Sequence, residues 1–228
     1  MKVFIALMSV FLVLIPQSTQ AQDKPPVVVE LFSSQACPAC PPADKYLEKL
    51  ALMDNIIALS CHVDYFGRGS GDTAKRFCTN RQTNYIKQIG RKSHYTPQMM
   101  INGHMNVVGY DTDMVPKKIN QAVRERIKPI TITPKVNGVY SFNLPEHSMN
   151  DTANLMMAIY DKPLAITKRG RTVRYVNVIS HLIPLGQWKG TNISRPVFPI
   201  ISSKTSGFAI LAQSPTTGKI IAAGQYKL

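Results

Sequence analysis

The fold of this 228-residue chain is decided by residues 27–44, which are VVVELFSSQACPACPPAD. Residues 27–32 form a run of apolar and β-branched side chains interrupted only by Glu30, which predicts a buried strand. Pro41 and Pro42 fit the first turn of a helix, where a missing N–H costs least. The stretch therefore predicts a strand, a turn that carries Cys37 and Cys40, and a helix.

Strand-like and helix-like segments alternate outward from this stretch until Pro129. A Gly-rich segment at 67–71 predicts a loop, and Asn102-Gly103 predicts a hairpin turn because both residues tolerate positive φ angles. The predicted elements are strand 27–32, helix 41–52, strand 56–63, helix 79–89, two short strands around Asn102-Gly103, and helix 113–127. Residues 22–128 are thus predicted to form an α/β domain with the order β-α-β-α-β-β-α.

The remainder of the chain, residues 129–228, has a different pattern. Short apolar segments are separated by turns rich in Gly, Asn and Pro, with no clear helical periodicity. The predicted strands are 130–136, 139–142, 153–160, 172–184, 197–201, 208–213 and 220–223. This pattern predicts an antiparallel, sandwich-like β-rich domain.

The first 21 residues have the pattern of a secretory signal peptide. Lys2 precedes an apolar run over 3–15, and Thr19-Gln20-Ala21 is a small-x-small cleavage site. A 13-residue run is shorter than the ~20 residues that span a bilayer, so we expect no transmembrane anchor. The mature protein is expected to be periplasmic or secreted, in an oxidising compartment where disulfides persist.

The chain is strongly basic, with 27 Lys and Arg against 13 Asp and Glu and a formal charge of +14. No nucleic-acid-binding motif accompanies this charge, and export argues against such a partner. Residues 168–174, KRGRTVR, are its densest cluster. They predict a solvated basic hairpin, with attraction to anionic envelope surfaces or acidic partner proteins as the functional alternative.

The chemistry is predicted at Cys37-Pro38-Ala39-Cys40, directly before the first predicted helix. The partial positive charge of a helix N-terminus favours a thiolate. Cys37 is therefore predicted to be the nucleophile, exposed at the turn, and Cys40 the resolving thiol. No cofactor beyond this redox-active disulfide is expected. Three alternatives compete: half of a zinc site, a passive structural disulfide, and a copper(I) site made by both cysteines with His62.

Two further cysteines, Cys61 and Cys78, flank the Gly-rich segment. A disulfide between them would hold down the loop beside the Cys37-Cys40 pair. The alternative is a second redox pair that exchanges electrons with Cys37 and Cys40. Four cysteines allow three pairings, and the spacing leaves the choice open.

The sequence resembles the secreted thioredoxin-like family catalogued as domain of unknown function 1223 (DUF1223). The resemblance is carried by residues 28–44, His62-Val63-Asp64-Tyr65, Arg81-Gln82, Tyr95-Thr96-Pro97-Gln98 and Asn102-Gly103, and by the later segments 170–172, 177–178 and 185–190. It covers nearly the whole mature chain and implies a thioredoxin-like core in an exported protein, without a known substrate. Cys61 and Cys78 depart from the family pattern.

The analogy to the thioredoxin-like fold assigns roles to three more residues. Pro97 stands where that fold places a cis-proline facing the cysteines, and Thr96 would then pair with the backbone of a substrate peptide. Glu30 occupies roughly the position at which such enzymes bury an acid beneath the cysteine pair. Burial there would raise the pKa of its carboxyl. Glu30 is therefore predicted to take the proton of Cys40 during exchange. The alternative is a carboxylate at the end of the strand that is turned to solvent.

The function expected from these features is that of an exported thiol–disulfide oxidoreductase. Its partners would be exported substrate proteins and a redox partner. The alternative is a non-enzymatic exported module: a copper(I) carrier that uses the CxxC pair, or a protein-binding adaptor whose disulfide is structural.

Overall fold

The structure, a computed structural model, describes residues 24–149, 151–168 and 170–228. The predicted signal peptide at 1–21 lies outside the described residues. Within the described ranges, no helix is long and apolar enough to cross a membrane.

The first half is built on a four-stranded sheet whose central strand is the run that opened the sequence analysis. The strands are β1 (Val27–Ser33), β2 (Ile56–His62), β3 (Gln98–Ile101) and β4 (Met105–Val108), in the spatial order β2-β1-β3-β4. β1 pairs in parallel with β2 and antiparallel with β3. Every residue of β1 is buried, because helices or a second sheet cover both faces of this sheet.

Three helices complete this half: α1 (Pro41–Leu50), α2 (Arg76–Gln88) and α3 (Met114–Glu125), with a 3₁₀ turn at Gly67–Ser70. Apolar residues of α1 and α3 share one core with Val27, Val29 and Leu31. α2 contributes to a second core, which contains Val28 and Phe32. Since alternate residues of a strand point to opposite faces, α1 and α3 cover one face of the sheet and α2 lies on the other.

The connection from β3 to β4 is the Asn-Gly turn. Asn102 and Gly103 have φ angles of 46° and 73°, as the primed hairpin turns require. The Asn102 side chain accepts a hydrogen bond from the Val28 N–H at 3.0 Å. The turn therefore also fixes the hairpin against β1.

The second half consists of strands. They are β5 (Lys128–Pro129), β6 (Thr131–Pro134), β7 (Tyr140–Leu144), β8 (Ala153–Asp161), β9 (Leu164–Lys168), β10 (Arg171–Tyr175), β11 (Ile179–Trp188), β12 (Ile193–Val197), β13 (Thr205–Gln213) and β14 (Ile220–Lys227). They form a five-stranded sheet of order β11-β8-β13-β14-β5, a three-stranded sheet of order β12-β7-β6, and the β9–β10 hairpin.

The five-stranded sheet is a middle layer with both faces buried. On β8, Leu155, Met157 and Ile159 belong to the core shared with the three-stranded sheet. The alternate residues Ala158 and Tyr160 belong to the core that also holds Val28 and Phe32 of β1. The two halves of the chain therefore share one hydrophobic core across the boundary near residue 129.

Two strand predictions for this half are wrong in detail. The strand expected at 197–201 lies instead at Ile193–Val197 and ends where the predicted strand would begin. Residues 172–184 were expected to form one strand, but the chain leaves β10 at Tyr175 and begins β11 at Ile179. Asn177 lies between them with a φ of 47°, and its side chain donates to the Ala58 carbonyl at 2.9 Å. This residue breaks the strand, so β10 turns back over α1 as part of a separate hairpin.

Candidate active site

Cys37 and Cys40 form a disulfide between the end of β1 and the start of α1. Cys40 is the N-cap of α1, and Pro41 and Pro42 occupy its first positions. The prolines have no N–H, and the N–H groups of Ala43 and Asp44 both bond to the Cys40 carbonyl, at 2.9 and 3.0 Å. The helix therefore acts on the Cys40 sulfur through its partial positive charge rather than through free N–H donors.

The structure corrects the expected exposure of the nucleophile. Cys37 is only 6% exposed and Cys40 is fully buried. Cys37 lines a pocket of about 590 Å³ together with Pro38, Pro41, the 3₁₀ turn and the β9–β10 hairpin. The hairpin, which the sequence did not place near the cysteines, forms one wall of this pocket.

Thr96 and Pro97 lie beside the first turn of α1. The Thr96–Pro97 peptide bond is cis, and Pro97 is buried while Thr96 is half-buried. A Cβ atom on Gly109 would lie 3.0 Å from the Ala43 Cβ and 3.3 Å from the Pro97 Cβ. Glycine at 109 therefore allows Pro97 to pack closely against the helix that carries the cysteines.

Asp44 is the site residue that the sequence analysis missed. It lies four residues after Cys40, so both side chains are on one face of α1. Burial raises the pKa of its carboxyl to about 7, against a smaller lowering by a hydrogen bond from Ser33. The Ser33 hydroxyl donates to Oδ2 at 3.1 Å, while Oδ1 is buried without a hydrogen-bond partner among the described residues. The sequence signal that could have identified Asp44 is its position four residues after Cys40, the cysteine at the start of the predicted helix.

His62 borders the same buried region at the end of β2, paired in register with Ser33. Its Nδ1 is 2.6 Å from the Thr73 hydroxyl, and its ring packs edge-on against Tyr175 with centroids 4.9 Å apart. Burial lowers the pKa of His62 to about 4, so the imidazole is neutral at neutral pH. Its Nε2, like the Oδ1 of Asp44, is buried without a partner among the described residues.

The structure does not place Glu30 to take a proton from Cys40. Glu30 shares its face of β1 with Val28 and Phe32, opposite the face that α1 covers. Arg81 donates to both oxygens of its carboxylate, through Nε to Oε2 and through Nη2 to Oε1 at 2.9 Å. The Tyr85 hydroxyl also donates to Oε1, at 2.5 Å. Glu30 is therefore one partner of a buried ion pair that ties β1 to α2.

The remaining cysteines form the second disulfide, Cys61–Cys78, between β2 and α2. Both are fully buried in the core that the two halves share. The described residues contain no free cysteine.

The copper(I) alternative finds no support in this geometry. Over the ranges that the structure describes, no three His, Cys, Asp or Glu side chains are grouped so that they could hold a metal ion. The Cys37 and Cys40 sulfurs are joined to each other in the disulfide, and the Nδ1 of His62 lies 2.6 Å from the Thr73 hydroxyl.

Comparison with known proteins identifies the family. The model of the family described as "Protein of unknown function (DUF1223)" matches residues 28–213, and the chain belongs to this family. A crystal structure of an Agrobacterium tumefaciens protein, a structural genomics target, is 26% identical, with a TM-score of 0.80 over 91% of this chain and 96% of that one.

HBP35 of Porphyromonas gingivalis has a similar fold at 12% identity. Its TM-score is 0.64 over 90% of this chain and 76% of that one. No curated protein matches the chain significantly.

Proposed function

We propose that this member of the DUF1223 family is a thiol–disulfide oxidoreductase that acts on exported proteins. The observation that carries the proposal is the pairing of the Cys37–Cys40 disulfide at the start of α1 with Asp44, a buried acid one helical turn further on. A redox pair with an adjacent group that titrates near neutral pH has the components that proton-coupled exchange requires.

The proposal includes a thioredoxin-like assignment for the first half. The order β1-α1-β2-α2-β3-β4-α3 and the packing of Pro97 beside the cysteine-bearing helix support it. On this assignment, the backbone of Thr96 pairs with the substrate peptide next to its cysteine. The substrate sulfur then approaches Cys37, which lines the pocket, rather than the fully buried Cys40.

Exchange from the disulfide form proceeds in two steps. A substrate thiolate attacks the Cys37 sulfur, the Cys37–Cys40 bond breaks, and Cys40 leaves as a thiolate that takes a proton from the Asp44 carboxyl. A second substrate thiolate then attacks the substrate sulfur of the mixed disulfide and releases Cys37. The substrate dithiol loses two electrons to the protein disulfide and releases two protons to solvent when its thiolates form. One proton from solvent then restores the Asp44 carboxyl, and a second protonates the released Cys37 thiolate.

Asp44 suits this role in both directions. With a pKa of about 7, its acid and base forms are both populated near neutral pH, so it can protonate Cys40 on reduction and deprotonate it on reoxidation. The buried His62 has its pKa lowered to about 4 and contributes no charge there.

The compartment and partners form part of the same proposal. Two disulfides support an oxidising location, periplasmic or secreted. Exported substrate proteins and a redox partner that resets the Cys37–Cys40 pair would complete the cycle.

The test is the rate at which the purified protein oxidises a neutral dithiol peptide, followed for wild type, Cys37→Ser and Asp44→Asn. Cys37→Ser should abolish exchange, and Asp44→Asn should slow it by roughly 100-fold near pH 7. Glu146→Gln, which removes an exposed carboxyl in the second half, should leave the rate unchanged.

Two outcomes would overturn the proposal. A Cys37–Cys40 disulfide that neither reacts with the peptide nor is reduced in glutathione buffers would be structural, as in the adaptor alternative. Stoichiometric copper(I) binding that is lost in Cys37→Ser, with no exchange by wild type, would favour the carrier.

A further inference from the structure

The β9–β10 hairpin presents one of its faces to the Cys37 pocket. Alternate residues of each strand line the pocket, and these are Ile166, Lys168, Arg171, Val173 and Tyr175. Lys168 is paired across the hairpin with Arg171, and Ile166 with Val173, so each pair lies on the same face. The pocket thus has an apolar inner part and two adjacent cations near the turn.

The base of the hairpin is anchored to the first half. Arg174 forms an ion pair with Glu48 of α1, with Nε 2.8 Å from Oε1. Tyr175 is buried against His62. These contacts fix the hairpin over the start of α1, so that the position of its pocket-facing residues relative to Cys37 is defined.

Lys168 and Arg171 differ from Arg174 in having no ion-pair partner among the described residues. Both are exposed, and none of the residues that line the pocket is acidic. Two neighbouring cations that face a redox sulfur without a balancing carboxylate form a site for an anionic group.

We propose that Lys168 and Arg171 select the substrate: they bind acidic side chains that flank the reactive cysteine of the partner protein. The inference rests on the proposed exchange function and adds a substrate class to it, acidic segments that contain a thiol. Cys37 is only 6% exposed, and the hairpin forms one wall of its pocket, so a substrate sulfur that reaches Cys37 brings its neighbours against these cations.

An acidic peptide fits this site better than an anionic membrane does. The two cations line a recess of about 590 Å³ above Cys37 rather than a flat surface. An extended peptide can enter such a recess, whereas a lipid headgroup layer contacts only its rim.

The experiment compares three dithiol peptides of equal length, with Asp/Glu, Asn/Gln or Lys residues beside the cysteines. The rate of oxidation by the wild-type disulfide should be about tenfold higher for the acidic peptide than for the neutral one and lowest for the basic one. The preference should shrink as salt is raised from low ionic strength to 1 M.

The Lys168→Gln/Arg171→Gln variant should oxidise the acidic, neutral and basic peptides at nearly equal rates, so that the wild-type preference is lost. The matched control is Lys135→Gln/Arg195→Gln, which removes the same charge from exposed positions at the β6–β7–β12 sheet and should preserve the preference. Equal thermal midpoints of the two variants would show that both remain folded.

The outcomes separate the two proposals. Exchange with the neutral peptide but equal rates for all three peptides would overturn the substrate assignment and leave the exchange function intact. The absence of exchange with any peptide would overturn both. Binding to phosphatidylglycerol vesicles that requires Lys168 and Arg171, without a peptide preference, would reassign the cations to a membrane contact.

Discussion

Glu30 and Asp44 are two carboxylates buried on opposite sides of the same sheet, and their surroundings could hardly differ more. Glu30 is fully buried and receives hydrogen bonds from Arg81 and Tyr85. Asp44 is 2% exposed, receives one hydrogen bond from Ser33, and has one oxygen without a partner among the described residues.

The difference shows why burial alone does not identify a proton carrier. An acid that faces a buried guanidinium has its charge balanced in place and serves to hold two elements together. An acid buried with only a hydroxyl beside it has no balancing charge, and desolvation then raises its pKa toward neutrality. Asp44 is an acid of this second kind.

The largest effect on stability is expected from removing the cation that pairs with Glu30. Arg81→Met leaves the Glu30 carboxylate buried without its cation and should lower the free energy of unfolding by about 3–5 kcal/mol, measured by urea denaturation. Arg76→Met, on the same helix, removes an exposed partner of Asp64 and should cost less than about 1 kcal/mol. Equal losses in the two variants would contradict the structural role given to the Glu30–Arg81 pair.

A smaller but more specific effect is expected from pH. The folded pKa of Asp44 is raised from 3.8 to about 7, so the native state binds the proton more tightly than the unfolded state. Ionisation of Asp44 should therefore lower the free energy of unfolding progressively as the pH rises from about 4 to about 7, by up to about 4 kcal/mol in total.

The measurement is the free energy of unfolding from pH 4 to pH 8 for wild type and Asp44→Asn. The difference between the two curves isolates the titration of this residue. Asp44→Asn should gain stability relative to wild type as pH rises through this window. Parallel curves would show that Asp44 titrates at its ordinary value and would remove it from the proton-transfer role.

The smallest effect is expected from Ser33→Ala, which removes the hydrogen bond that lowers the Asp44 pKa. The pKa should rise further, by up to about one unit, measured by carboxyl-carbon NMR. Ser60→Ala is the matched control, because the hydroxyl of this buried serine on β2 has no hydrogen-bond partner among the described residues and its removal should leave the Asp44 pKa unchanged.

Local patterns predicted the elements of the first half well. The strand expected at 27–32 is Val27–Ser33, and the helix expected at 113–127 is Met114–Glu125. These elements bury a continuous or periodic apolar face, which is what a sequence pattern records. β9 has no fully buried residue, and its apolar stretch is only the three residues 164–166, so the pattern is too short to predict a strand and β9 was missed.

The site was only partly predictable for a related reason. Cys37, Cys40 and Pro97 belong to short motifs, whereas the roles of Glu30 and Asp44 depend on which face of β1 the first helix covers. The pairing of Glu30 with Arg81 spans 51 residues, and no local pattern encodes it. The sequence pattern predicted a solvated hairpin for the basic cluster at 168–174. Lys168 and Arg171 line the Cys37 pocket only because the strand is broken at Asn177.

The middle position of the five-stranded sheet has a consequence for how this protein can evolve. One face of β8 packs against the first half of the chain and the other face packs against the three-stranded sheet of the second half. Each half therefore has core residues that are buried only by the other half. A gene fusion or deletion that separated the halves near residue 129 would strip the cover from Val28 and Phe32 as well as from Ala158 and Tyr160. The half that carries Cys37 and Cys40 is therefore not a portable module, and the strand-rich half is inherited with it.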